Sequence, residues 1–109
     1  MSRYEIHTKI MAVPGKRDQL AMQLLKAARL VMHTPGCEKY FVSVSQTEPE
    51  PVLVTEVWTT KDHHDASLLA HAVKSLIQET RPLIDRSSEA IVSVPLGGKG
   101  LQTEELAEE

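Results

Sequence analysis

"VLVTEVWT" (Val52–Thr59) is the stretch on which the fold turns. Alternate residues of an extended chain point to opposite faces of a sheet. Val52, Val54 and Trp58 therefore share one face, while Leu53 and Val57 occupy the other. A strand that is apolar on both faces belongs to a sheet covered on both sides. The segments around it show what the chain has available for that cover.

Upstream, "EKYFVSVSQ" (38–46) reads as a strand, joined to the first by the polar hairpin loop "QTEPEP" (Gln46–Pro51) with its two prolines. Further back, "YEIHTKIMAV" (4–13) alternates at its start, with Tyr4, Ile6, Thr8 and Ile10 opposite Glu5, His7, Lys9 and Met11. "PGK" (Pro14–Lys16) breaks this strand and suits the start of a helix. Leu20, Leu24, Ala27, Ala28 and Val31 then form one broad apolar stripe, predicting a helix over about 17–32 that Pro35 and Gly36 stop. Downstream, Thr59 and Thr60 suit a helix cap, and Thr59-x-x-Asp62 matches a capping box. A short helical turn near 61–66 is expected to lead into a longer helix over 67–80. Leu69, Ala72, Val73, Leu76 and Ile77 share a face there, and Pro82 kinks or ends it. "EAIVSVP" (89–95) reads as the last strand, with Ala90, Val92 and Val94 opposing Ile91.

The expected order is β-α-β-β-α-β. That is an α+β, ferredoxin-like arrangement, with an antiparallel sheet and both helices on one face. The helices cover one side of the sheet. The expected cover for the other is the sheet of a second subunit, giving a two-fold homodimer. Residues 1–96 form the domain. Residues 97–109, "GGKG" followed by "LQTEELAEE", read as a glycine-hinged acidic tail and a candidate exchanged arm.

Bulk composition agrees with one soluble domain. The chain has 109 residues, 41% hydrophobic and 25% charged, with a net charge of −3 and only 4% aromatic residues. No run of Lys or Arg provides an electrostatic footprint for nucleic acid. No apolar run approaches a membrane span, and "MSRYEIHTKI" (1–10) lacks the apolar core of a signal peptide. The single cysteine, Cys37, excludes an intrachain disulfide and a cysteine-rich zinc site. These features point to a cytoplasmic protein.

"VPGKRDQL" (13–20), "TPGCEKYFVSVS" (34–45), "EVWTTKDHHDASL" (56–68) and "IQETRPLID" (77–85), in that order, resemble the antibiotic biosynthesis monooxygenase domain family. The resemblance runs from about Tyr4 to Val94 and rests on Glu-x-Trp ending a strand with a histidine in the following turn. It implies a dimeric α+β barrel. It also implies oxidation of quinols, anthrone-like polyketides or related electron-rich substrates by dioxygen, with no metal or flavin cofactor. Other members degrade haem, and one isomerises the phosphorylated autoinducer-2 signal. Triplet oxygen reacts slowly with closed-shell molecules, but a phenolate or carbanion can give it one electron. The protein then supplies an apolar pocket, a base and donors that steady the oxyanion.

Each candidate residue carries two readings. His64 matches the histidine of the family's turn and is a candidate base, or else a capping or surface histidine. Trp58 is a candidate catalytic wall that stacks on a flat substrate, or a core tryptophan. Glu56 shares its face, as a substrate-binding carboxyl whose pKa burial would raise, or as the partner of a cation such as Arg81 or Arg29. Tyr40 is a candidate hydrogen-bond donor to a substrate oxygen, or cover for the sheet. His63 and His71 read as exposed, His33 as a helix-end cation, and Cys37 as a structural thiol. The histidine spacings do not converge on a metal. The chain contains no asparagine, the residue that haem-degrading and some polyketide-oxidising members use with Trp and His. Haem degradation is therefore not expected, and another donor must replace the asparagine.

Three functions fit these residues. The first is a cofactor-independent monooxygenase acting on a small quinol, phenolic or polyketide-like substrate, with a cavity lined by Trp58 and His64. The second is an isomerase of the autoinducer-2 type, which needs a base but no oxygen. The third is a non-catalytic dimeric ligand-binding module with a filled core.

Overall fold

The computed structural model describes residues 2–86 and 89–100. Strand β1 (Tyr4–Ala12) is followed by helix α1 (Arg17–Val31), strands β2 (Cys37–Val44) and β3 (Pro51–Trp58), and helices α2 (Lys61–Ser67) and α3 (His71–Thr80). A 3₁₀ turn over Arg81–Leu83 leads to the short strands β4 (Ile84–Arg86) and β5 (Ala90–Ser93). The α+β architecture and the β-α-β-β-α-β sequence of elements are as expected, with the last strand position split in two. The tail beyond Gly100 lies outside the described residues.

The sheet is antiparallel in the order β2-β3-β1-β4, with β5 also pairing β1. β1 and β3 run in register from Tyr4↔Trp58 to Met11↔Pro51. β2 carries an irregularity between Cys37 and Lys39, after which Tyr40 stands opposite Glu56. That register gathers Tyr4, Tyr40, Glu56 and Trp58 at one end of the helix-covered face.

The expected barrel is not formed. The sheet is open: β2 pairs only with β3, and β4 and β5 pair only with β1. Closure requires every edge strand to find a partner, with tilt and stagger matched around the ring. Here the two ends of the sheet are different strands that never meet.

Two further expectations change. The helix predicted over 67–80 is interrupted, because Ala70 is extended (φ −64°, ψ 136°) between α2 and α3. The break re-aims α3, so Val73, Leu76 and Thr80 are buried while Leu69 is 69% exposed. The cap of α2 is Thr60 rather than Thr59: its side chain accepts from the His63 amide at 3.2 Å. β4 went unpredicted because Ile84-Asp85-Arg86 is too short to show alternation.

The helix-covered face holds two apolar clusters. Ala12, Leu20 and Val52 form one, with Ile10, Leu24, Val42 and Ile84 packed against it. Val31, Trp58 and Val73 form the other, flanked by Tyr4, Cys37 and Tyr40. On the opposite face Val57 is buried, but Phe41 is 50% and Ile91 63% exposed. Much of that face is left open by the described residues.

Candidate functional site

Between the two clusters lies a cavity of about 300 Å³. Ile10, Tyr40, Glu56 and Ile84 form its floor on the sheet. Leu24, Ala27 and Val31 wall it from α1, and Val73, Leu76 and Ile77 from α3. Gln23, Ser67, Leu68, Thr80 and Arg81 complete the lining. The volume sits at the small end of the range for ligand pockets. Helix α1 places Leu24, Ala27 and Val31 there because they follow one another at helical spacing on its inner stripe.

Glu56 is the one carboxyl on that apolar wall. It projects there because β3 alternates, so Val54, Glu56 and Trp58 all face the helices. Burial pushes its pKa above the ordinary value, opposed by a hydrogen bond from Trp58 and by nearby His64. Trp58 Nε1 donates to Glu56 Oε1 at 2.9 Å. His64 Nε2 stands 3.9 Å from the same oxygen. Oε1 is thus occupied from behind, and Oε2 makes no hydrogen bond within the described residues. The expectation of an Arg81 or Arg29 partner fails: Arg81 shares the cavity but makes no ion pair with Glu56 among the described residues.

Trp58 is fully buried. Neither it nor His64 lies on the cavity wall, contrary to the expected lining. Both stand behind Glu56. The His64 ring packs edge-on to Trp58 at 5.9 Å between centroids and against Tyr4 at 4.9 Å. Its Nδ1 lies 2.9 Å from Asp65 Oδ1, and Asp65 Oδ2 accepts from Lys61 Nζ at 2.7 Å. Lys61 foremost, and His64 next, hold the Asp65 carboxyl below the usual carboxylate range.

Tyr40 reaches the cavity beside Glu56. Its hydroxyl takes part in no hydrogen bond among the described residues. Burial first, then Glu56 and Cys37, push its pKa upward, so the phenol stays a donor at neutral pH. Burial and the Glu56 and Glu38 charges also push up the Cys37 thiol, which suits a structural cysteine and not a nucleophile.

His63 is exposed, as expected, yet engaged. Its Nδ1 lies 2.8 Å from Thr60 Oγ1 and 3.0 Å from Thr59 Oγ1. Its ring lies over Gly36, which has φ +86°, and a Cβ at Gly36 would collide with it. His71 and His33 are exposed. No group of three or more His, Cys, Asp or Glu converges on a metal among the described residues. None of their helices is long and apolar enough to cross a membrane.

Reading the sequence alone missed Asp65, Tyr4 and Ser67. Asp65 was findable, since it follows His64 directly on a helix whose N-cap is legible. Tyr4 was not, because only the β1–β3 register brings it beside Trp58.

The family profile described as antibiotic biosynthesis monooxygenase matches residues 3–79. A solved protein of Chloroflexus aurantiacus J-10-fl, assigned to antibiotic biosynthesis monooxygenases, is 36% identical with a TM-score of 0.83, covering 93% of this chain and 100% of its own. A Nitrosomonas europaea protein with the same assignment is 11% identical with a TM-score of 0.83, over 91% of this chain and 95% of its own. Rv0793 from Mycobacterium tuberculosis is 17% identical with a TM-score of 0.79, over 91% and 100%. These last two share the fold alone. No curated protein matches. With the profile spanning most of the chain and a 36% identical relative along nearly all of it, the chain belongs to the antibiotic biosynthesis monooxygenase family.

Proposed function

We propose that the protein is a cofactor-independent monooxygenase acting on a small electron-rich quinol, phenolic or polyketide-like substrate. The observation that carries this reading is the setting of Glu56: a single carboxyl with elevated pKa on the wall of a mostly apolar cavity, beside a free tyrosine hydroxyl. A cavity of about 300 Å³ favours one or two rings over a large planar ligand.

In this reading Glu56 accepts the substrate's phenolic or carbon-bound proton, with His64 and Trp58 as its catalytic support and Tyr40 donating to the substrate oxygen. Tyr40 takes the place of the absent asparagine. An elevated carboxyl pKa narrows the gap to the substrate's and makes the transfer less uphill. The resulting anion gives one electron to dioxygen. The radical pair joins through a carbon–oxygen bond, and the peroxide breaks its O–O bond. One oxygen atom stays on the substrate, and the other leaves as water with the two hydrogens the substrate loses. The apolar wall keeps solvent from the anion.

Oxygen uptake with a panel of reduced quinols tests this reading. Glu56→Gln should lower kcat/KM by 10²-fold or more, as for loss of a general base, and Tyr40→Phe by about 10-fold, the worth of one hydrogen bond in the transition state. A protein that consumes no oxygen above buffer across the panel sinks it. Turnover in strictly anaerobic buffer transfers the site to an isomerase instead.

We further infer a homodimer, formed through the open sheet face that exposes Phe41 and Ile91. Ile91→Glu should leave a monomer by light scattering; an unchanged or already monomeric mass overturns it. The cytoplasmic assignment rests on the lone, unpaired Cys37.

A further inference from the structure

His64 lies between two carboxyls, and each of its ring nitrogens faces one of them. Nδ1 is 2.9 Å from Asp65 Oδ1. Nε2 is 3.9 Å from Glu56 Oε1. An ionised carboxylate only accepts hydrogen bonds, so the Asp65 contact requires the proton on Nδ1. Lys61, 2.7 Å from the other Asp65 oxygen, keeps Asp65 in that ionised form. In the neutral imidazole Nε2 is then bare. At 3.9 Å this nitrogen makes no hydrogen bond to Glu56, whose Oε1 accepts from Trp58 instead.

The geometry points to Asp65 as a positioning residue: by taking the Nδ1 proton of His64 it keeps Nε2 bare on the side of Glu56, so that the ring gives Glu56 no hydrogen bond, Trp58 stays the one donor to Oε1, and the carboxyl is left ready to take a substrate proton. The assignment rests on the reading of Glu56 as the group that meets substrate. The His64 and Glu56 side chains are 13% exposed, so this arrangement lies out of bulk solvent but one layer from it.

The surroundings are consistent with this role. β1 contributes Tyr4, which packs on the imidazole. β2 contributes Tyr40 and Cys37, both neutral and both feeling the Glu56 charge. From α2 come Lys61 and Asp65. Helices α1 and α3 bring no titratable group to the cavity, and the turn after α3 brings Arg81. Asp65 is therefore the one carboxylate in hydrogen-bond contact with the ring among the described residues.

The test uses the full chain, with nitrogen-15 NMR of His64, carbon-13 NMR of the Glu56 carboxyl, and oxygen uptake with hydroquinone. Wild type should show the Nδ1–H tautomer. Asp65→Ala should move the ring proton to Nε2, where it donates to Glu56 and lowers the Glu56 titration midpoint. Asp65→Asn keeps an acceptor oxygen and should retain the wild-type tautomer, while Lys61→Ala should leave it unchanged. The acid limb of the pH profile of kcat/KM should shift down with the Glu56 midpoint in Asp65→Ala alone. A tautomer or a Glu56 midpoint that stays put in Asp65→Ala overturns the assignment. If both move but the wild type consumes no oxygen, the positioning role stands and the monooxygenase reading falls.

Discussion

Around Leu20 the sheet and α1 close on each other: Ala12, Leu20 and Val52 are buried to within 1% exposure, with no polar side chain among them. At the far end of the same sheet face, Val31, Trp58 and Val73 are also buried, yet Val31 and Val73 border a cavity and Trp58 supports a carboxyl behind its wall. Both clusters take one residue from β3 and an aliphatic residue from α1. The difference lies in what fills the remaining space. At the Leu20 end side chains meet; at the Trp58 end Ala27 is too short to reach the sheet, and the chain leaves a void beside a polar group. A void costs dispersion contacts, and a buried carboxyl costs desolvation. A protein that keeps both is less stable there than it would be with a filled core, which is the usual signature of a working site.

Leu20→Ala strikes the closed cluster and should cost about 3 kcal/mol, the sum of transfer and cavity terms at a site that cannot collapse. Urea unfolding measures it, and a loss below about 1 kcal/mol would mean that this cluster is no tighter than the other. Trp58→Phe should cost about 2 kcal/mol, from lost ring volume and the lost donor to Glu56. It should also raise the Glu56 titration midpoint further, visible by carboxyl NMR, because the Trp58 hydrogen bond is one of the influences holding that pKa down.

Glu56→Gln should change the pH dependence of stability. A carboxyl whose folded pKa is raised binds more protons in the native state than in the unfolded chain. Its contribution is favourable below the unfolded value, and stability falls as pH rises from there through the folded pKa. The wild type should therefore lose stability as pH climbs above about 4.5, at no more than about 1.4 kcal/mol per pH unit from this one group. The glutamine variant should lack that component. Parallel stability profiles for the two proteins would show that Glu56 is not desolvated. Smallest in effect, Ala27→Leu should fill the cavity and change stability by about 0.5 kcal/mol or less, the gain in burial offset by imperfect fit. It should abolish binding of any small phenol, as read by calorimetry. Retained binding would place the ligand elsewhere.

The strands were legible because β3 alternates, and α1 because its stripe repeats at helical spacing. The helices after β3 were only partly so. Leu69 fits the stripe of α3 by count, but the extended Ala70 takes it out of the helix and into solvent. The capping box at Thr59 also fits by spacing, and the chain instead caps at Thr60, with His63 three residues on. Spacing rules assume that a helix runs unbroken, and a single extended residue resets them.

His63 and His64 show the same limit at the site. They are adjacent and chemically identical, and nothing in their order says which one faces inward. Helix α2 turns His63 outward over Gly36 and His64 inward against Tyr4, Trp58 and Glu56. Likewise Glu56 and Trp58 were expected on one face, but not joined by a hydrogen bond that leaves Trp58 behind the wall and Glu56 on it.

By itself the sequence determined the α+β order of elements, the face shared by Glu56 and Trp58, and the family. Those follow from local periodicity and from residues close together in the chain. Tertiary structure alone decided that the sheet stays open, that a cavity of about 300 Å³ survives between two small cores, and that Asp65, His64 and Glu56 stand in line. Cavities and proton positions depend on how far apart packed elements come to rest, and that distance is set by side chains remote in sequence.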